Sequence, residues 1–163
     1  MNPVNGVVFD PSDETKRSFK RWRERDRFVG AVVGRDDNED VNFYIPAKAQ
    51  SDQSLISTKY PPTRLMGQYE KIKLKQVNLN EELKRQGVEK ISFLNIDVEG
   101  AELEILSTFD FEFFKPTIIA VEIFGSDLET CLNSEISQLL KRKHYLAVGS
   151  AVITQFFVRK DAL

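Results

Sequence analysis

One stretch constrains the fold more than any other part of the chain: Ile91 to Leu106, which reads I-S-F-L-N-I-D-V-E-G-A-E-L-E-I-L. The apolar run from Ile91 to Ile96 has the length and composition of a buried strand. It ends at Asp97, passes through a tight turn at Glu99 and Gly100, and opens into a helix at Ala101. Glu102 and Glu104 fall in the first helical turn, where the helix dipole favours negative charge, and read as helix-start residues. In an open parallel sheet, ligands sit outside the carboxyl ends of the strands. Asp97 is therefore a candidate for chemistry, and Gly100 supplies either an unusual backbone angle or room for a close approach.

The chain on either side alternates strands and helices. Val4 to Phe9 reads as a strand stopped at Asp10-Pro11. Ser12 caps a helix expected over Asp13 to Glu24, with Phe19 and Trp22 on its apolar side. The other face of that helix is basic, but Asp13, Glu14, Glu24 and Asp26 interleave Lys16, Arg17, Lys20, Arg21, Arg23, Arg25 and Arg27. That pattern is a solvated face and not a nucleic-acid footprint. Phe28 to Val33 is expected as a second buried strand closed by Gly34, and Val41 to Ile45 as an edge-like strand. Pro46 to Gln68 has no sustained period and reads as a covering loop near the site. A half-exposed strand is expected over Glu70 to Val77. A short helix follows over Leu79 to Gln86, begun by Asn78 and Glu81 and ended by Gly87.

Beyond the central stretch, Thr117 to Ile123 is a strongly apolar strand that carries Glu122, a second carboxylate close to a strand end. One helix is expected over Asp127 to Lys143, burying a stripe of Leu128, Cys131, Leu132, Ile136, Leu139 and Leu140. His144 at its end reads as a surface residue. Tyr145 to Val148 and Thr154 to Val158 form an antiparallel pair about a Gly149-Ser150 turn. The whole predicts a mostly parallel sheet with helices on both faces. Phe19, Trp22, Ile91, Phe93, Ile96, Leu103, Leu106, Ile118, Val121 and Leu139 are expected to be mostly buried, and Asp10, Asp97 and Glu122 to lie on one sheet edge and line a common cleft.

Composition sets the outer bounds. A chain of 163 residues fits one domain, 1–163, and 41% hydrophobic residues with a net charge of −2 argue against both disorder and a polyanion-binding protein. The single cysteine, Cys131, excludes an intrachain disulfide and a cysteine-based zinc cluster and suits a reducing compartment. No apolar run has the length of a membrane span, and Met1 to Asp10 lack the regions of a signal peptide, so a cytoplasmic location with no membrane partner is expected.

The central stretch, with V-N-L-N-E-E-L before it and K-P-T-I-I-A-V-E-I after it, resembles the FkbM family of S-adenosylmethionine-dependent methyltransferases. F-D-P-S at Phe9 to Ser12 is similar to the family's second strand, and Y-L-A-V-G-S leading to Q-F-F-V to its closing hairpin. The resemblance implies a class I methyltransferase fold: a Rossmann-like three-layer α/β/α sandwich, mostly parallel with one antiparallel strand. It implies methyl transfer to a hydroxyl of a sugar or natural-product-like acceptor. It places Asp10 at the ribose hydroxyls of the cofactor, Val33 and Gly34 beside its adenine, Asp97 and Glu99 facing methyl donor and acceptor, and Glu122 at the end of the next strand. The family's first strand and glycine-rich turn are expected before Val4, where only Met1 to Pro3 stand. The sequence thus reads as the carboxyl-terminal part of such a domain, one that a further segment or a second copy would complete, and without that turn it is expected to bind the cofactor poorly.

The chemistry such a site needs follows from the acceptor. A hydroxyl is too weak an acid to attack unaided at neutral pH, so its proton must be removed or its oxygen bound to a metal. Asp97 is the candidate base. Asp97 and Glu122, if they converge, also offer oxygen ligands to a hard divalent cation. Two other functions compete. A non-catalytic methyltransferase-fold remnant, serving as a binding or assembly module, would account for the absent turn. A dinucleotide-dependent oxidoreductase is disfavoured by the lack of any G-x-G.

Overall fold

The computed structural model describes residues 5–46, 58–59, 69–125 and 127–163. Most of the loop expected over Pro46 to Gln68 lies outside them, and with it the reading of that loop as a cover. The chain divides into two compact units, Met1–Gln86 and Gly87–Leu163.

In the first unit, β1 (Val7–Phe9) pairs in parallel with β2 (Arg27–Val29), and α1 (Asp13–Trp22) is the crossover between them. Ser12 starts α1 as expected, its hydroxyl accepting from the amides of Glu14 and Thr15 at 3.2 and 3.3 Å. Phe19 meets Phe28 with ring centroids 5.8 Å apart, the apolar contact that seats the helix on the pair. Trp22 is the last residue of α1 and is 74% exposed, contrary to expectation. Two three-residue strands are too short to cover a side chain that far along the helix, and its ring instead lies against the Arg21 guanidinium at 4.9 Å.

A second sheet has the order β3 (Val32–Gly34), β5 (Tyr69–Asn78), β4 (Asp40–Pro46), with β3 parallel and β4 antiparallel to β5. The single strand expected over Phe28 to Val33 is thus two strands in two sheets. Gly30 explains the break: the Ala31 amide donates to the Val29 carbonyl at 3.0 Å, a three-residue turn centred on the residue with no side chain. Asn78 caps α2 (Leu79–Arg85) through Asn80 and Glu81, and Gly87 follows it with φ +69°, both as the sequence predicts.

Gly34 has a packing role of its own. A Cβ there would stand 2.0 Å from Oε1 of Gln76, a buried side chain whose amide nitrogen donates to Glu39 at 3.0 Å. Gly34→Ala should therefore destabilise the protein by about 1–3 kcal/mol, the usual range for overpacking, because a buried amide cannot swing aside without losing its partner. Urea denaturation of Gly34→Ala, with Gly34→Ala/Gln76→Ala as the relieved double variant, measures this. Equal stability of Gly34→Ala and the parent would refute the close contact.

The second unit is a four-stranded sheet of order β6 (Phe93–Ile96), β7 (Ile118–Glu122), β9 (Thr154–Arg159), β8 (Tyr145–Ala151). Only the β6–β7 pairing is parallel. Its helices are α3 (Glu102–Thr108), α4 (Phe111–Phe114), α5 (Leu128–Leu132) and α6 (Glu135–Arg142). Leu106, Phe114, Ile119, Val121 and Leu140 are completely buried. Phe114 stacks on Phe109 at 5.5 Å, and the buried Tyr145 hydroxyl donates to the Pro116 carbonyl at 2.6 Å. Burial pushes the phenol up to about 12.

The protein is α/β, but its sheets are not mostly parallel: among the described residues, three strand pairings are parallel and three antiparallel, divided over three sheets. The antiparallel ones are β4 with β5, β7 with β9 and the hairpin of β8 with β9. The closing hairpin also turns later than expected, at Val152-Ile153. Gly149 and Ser150 belong to β8, where a register shift between Ala147 and Gly149 marks a bulge. A glycine in a strand run signals a bulge as readily as a turn.

The helix expected over Asp127 to Lys143 is two helices. Ser134 is extended (ψ 157°) and its hydroxyl accepts from the Ser137 amide at 3.2 Å, so a capping residue inside the periodic run ends one helix and starts the next. Of the stripe, Cys131 and Leu140 are buried and Leu128 and Leu132 exposed. In the predicted core set, Ile91, Ile96, Leu106 and Val121 are buried, while Phe19, Leu103, Ile118 and Leu139 are half-buried. Phe93 is exposed because it points to the face of β6 opposite the buried Ile96. His144 is exposed and left-handed (φ 65°) beyond the end of α6. Among the described residues, no helix is long and apolar enough to cross a membrane.

Candidate active site

The site is built where β6 and β7 end side by side. Their parallel register pairs Ile96 with Val121, so the residues that follow, Asp97 and Glu122, emerge from the same end of neighbouring strands. The chain then turns through Glu99, left-handed at φ 53°, and Gly100, at φ 103°. Ala101 precedes α3 and has no side chain that can accept a hydrogen bond. Glu102 does that work instead. Only 4% exposed, it accepts through one oxygen from the amides of Val98 at 3.2 Å and Gly100 at 3.1 Å, clamping the turn from inside.

The clamped turn brings three carboxylates together. One oxygen each from Asp97, Glu99 and Glu122 lies within 4.8 Å of the others, with Asp97 exposed and the two glutamates half-buried. Burial first, and then the charge of Asp97, raises the proton affinity of both Glu99 and Glu122. Glu102 adds to both, and Glu99 to Glu122. Three carboxylates at this spacing suit two chemistries: taking up a proton from a bound group, and holding a hard divalent cation through oxygen ligands.

The raised affinities imply a stability cost. Glu99 and Glu122 bind protons more tightly folded than unfolded, so their contribution to stability is greatest below the unfolded carboxyl range near pH 4.5 and is lost as pH rises through their higher folded values. Glu122→Gln removes one of the charges that must be held together at neutral pH. It should raise the melting temperature at pH 7 by about 2–4 °C and leave it nearly unaltered at pH 4. Thermal melts at the two pH values check this, and a lower melting temperature at pH 7 would contradict it.

A family model, the methyltransferase FkbM domain, matches residues 5–146. The chain belongs to the FkbM methyltransferase family. The match begins just before β1, covers the first unit from residue 5 and continues through most of the second to end within β8. The chain matches no curated protein and no solved structure.

In this FkbM chain three of the residues predicted for the cofactor, Asp10, Val33 and Gly34, lie in the first unit, and the fourth, Asp97, in the second. Asp10 follows β1 and is half-buried; its Oδ1 accepts from the Ser12 amide at 2.7 Å and its own amide donates to Val29 at 3.1 Å. Val33 is half-buried and Gly34 buried at the end of β3. The structure brings Asp97, Glu99 and Glu122 together. Sequence reasoning missed the part played by Glu102. The available signal was its place directly after an alanine at the helix start, where a side-chain acceptor is otherwise lacking.

Proposed function

We propose that this FkbM protein is an S-adenosylmethionine-dependent O-methyltransferase acting on a hydroxyl of a sugar or natural-product-like acceptor. The observation that carries the reading is the convergence of the Asp97, Glu99 and Glu122 carboxylates at the ends of two adjacent parallel strands. When bound, the cofactor supplies a methyl group on a positively charged sulfur, open to in-line displacement. The residues present fit it on two counts. A cluster of three carboxylates is a favourable neighbour for a sulfonium charge, and the Asp10 carboxylate, one oxygen of which is engaged by Ser12, has acceptor capacity left for vicinal hydroxyls.

Methyl transfer breaks the carbon–sulfur bond, forms a carbon–oxygen bond to the acceptor and releases the hydroxyl proton. Asp97, the exposed member of the cluster, touches the acceptor hydroxyl and takes that proton. Glu99 and Glu122, whose affinities are already raised, make the cluster as a whole a better resting place for it. The remaining requirement is alignment, which the clamped turn provides by fixing Asp97 and Glu99 relative to Glu122.

Calorimetric titration with S-adenosylmethionine tests the cofactor part. Asp10→Ala should weaken binding about 10–100-fold, the worth of one charge-assisted hydrogen bond. Equal binding by the two forms would remove Asp10 from the site. Transfer of a labelled methyl group to hydroxyl acceptors tests the reaction, and transfer to amines alone would overturn its assignment to oxygen.

A further inference from the structure

We propose that the acceptor carries an alkyl arm beside its reactive hydroxyl, and that this arm lies along Phe124, Leu128 and Leu132. The proposal rests on the methyl-transfer reading of the carboxylate cluster and adds a specificity surface to it. Phe124 stands two residues past Glu122, so their Cα atoms are at most about 7 Å apart. Between them Ile123 turns into the core, its amide donating to the Ile153 carbonyl at 2.9 Å, while Phe124 is 63% exposed. Helix α5 is laid back on this same segment. The buried Cys131 Sγ lies 3.5 Å from the Ile123 carbonyl, and a side chain on Gly125 would come within 2.8 Å of that sulfur. Gly125 thus permits the loop and the helix to touch.

With Cys131 turned inward, Leu128 and Leu132 stand one helical turn apart on the flank of α5 and remain 57% and 43% exposed. Three large apolar side chains thus stay in water on the segment that begins two residues from a candidate catalytic carboxylate, and an apolar group is the ligand chemistry that suits them. Asp127 caps α5, accepting from the Thr130 amide at 2.7 Å. The acceptor chemistry that matches both features is amphipathic: a hydroxyl for the carboxylates and an alkyl chain for the ridge.

Octyl β-D-glucopyranoside, kept below its micelle concentration, and methyl β-D-glucopyranoside present the same hydroxyls with and without such an arm. Two readouts apply: saturation-transfer NMR for contact, and labelled methyl transfer for turnover. The expected result is saturation of the octyl methylenes and a kcat/KM preference for the octyl compound of about tenfold. In Leu128→Ser/Leu132→Ser both the saturation and the preference should largely disappear, and both should persist in Leu163→Ser, a control at another exposed leucine. Octyl contact on the ridge with no methyl transfer to either compound would keep the docking surface and sink the O-methyltransferase reading. Methyl transfer with no octyl preference would sink the docking surface alone. Equal loss in the Leu163→Ser control would show nonspecific adherence, and self-association relieved by Leu128→Ser/Leu132→Ser without any octyl effect would reassign the ridge to protein contact; either result overturns the proposal.

Discussion

Replacing Glu102 by alanine should destabilise the second unit by about 2–4 kcal/mol and abolish most of any methyl transfer. The carboxylate is buried and accepts from two backbone amides, and hydrogen bonds to a charged group contribute about 1.5–3 kcal/mol each. Alanine would leave the Val98 amide without an acceptor in a half-buried position, while water can reach the Gly100 amide in part. One effect opposes this. The Glu102 charge raises the proton affinity of Glu99, so its removal relieves some repulsion, but it ranks behind burial and the charge of Asp97 as a cause. The loss of the two hydrogen bonds decides the sign. The turn they hold contains Glu99 in a left-handed conformation unfavourable to residues with a side chain, so the catalytic geometry should loosen with it. Glu102→Gln keeps an oxygen acceptor and loses only the charge, and should recover about half of the stability. Urea denaturation of the three forms measures this. If Glu102→Ala proved as stable as the parent, the clamp would have no energetic part in the site.

Asp97→Asn should lower kcat by about 10²–10⁴-fold while leaving the fold intact. That is the range for removing a positioned general base. Asparagine is nearly isosteric and Asp97 is exposed, so no buried contact is lost. It also removes a charge that raises the proton affinities of Glu99 and Glu122, so both should ionise at lower pH than in the parent. The acid limb of a pH–rate profile for any residual activity should move downwards accordingly. Initial rates of labelled methyl transfer across pH give both readouts. Full turnover by Asp97→Asn would take Asp97 out of the mechanism.

Much of the site was legible in the sequence because its parts are local. An apolar strand running into a carboxylate, a glycine turn and a helix start stand in order over Ile91 to Leu106, and the second strand with Glu122 near its end is equally plain. The structure makes these neighbours through one parallel pairing. Glu102 is a helix-start residue as its position predicts, but its two possible roles there, meeting the helix dipole or reaching back to the loop amides, have the same sequence signature and differ only in the direction of the side chain. The helix break at Ser134 lay within reach of the sequence, since a capping residue stood inside the periodic run, but continuous apolar spacing on both sides concealed it.

What the sequence determined by itself was the type and order of most elements, the capping at Ser12 and Asn78, the helix end at Gly87, and the carboxylates at strand ends. These depend on hydrogen bonds and backbone angles within a few residues of each other. Only the tertiary structure decided which strands share a sheet, that half of the described pairings are antiparallel, and that Trp22, Phe93, Leu128 and Leu132 stay in water. An apolar side chain is buried only if another element arrives to cover it. That arrival depends on pairings between residues far apart in the chain, which local periodicity does not encode.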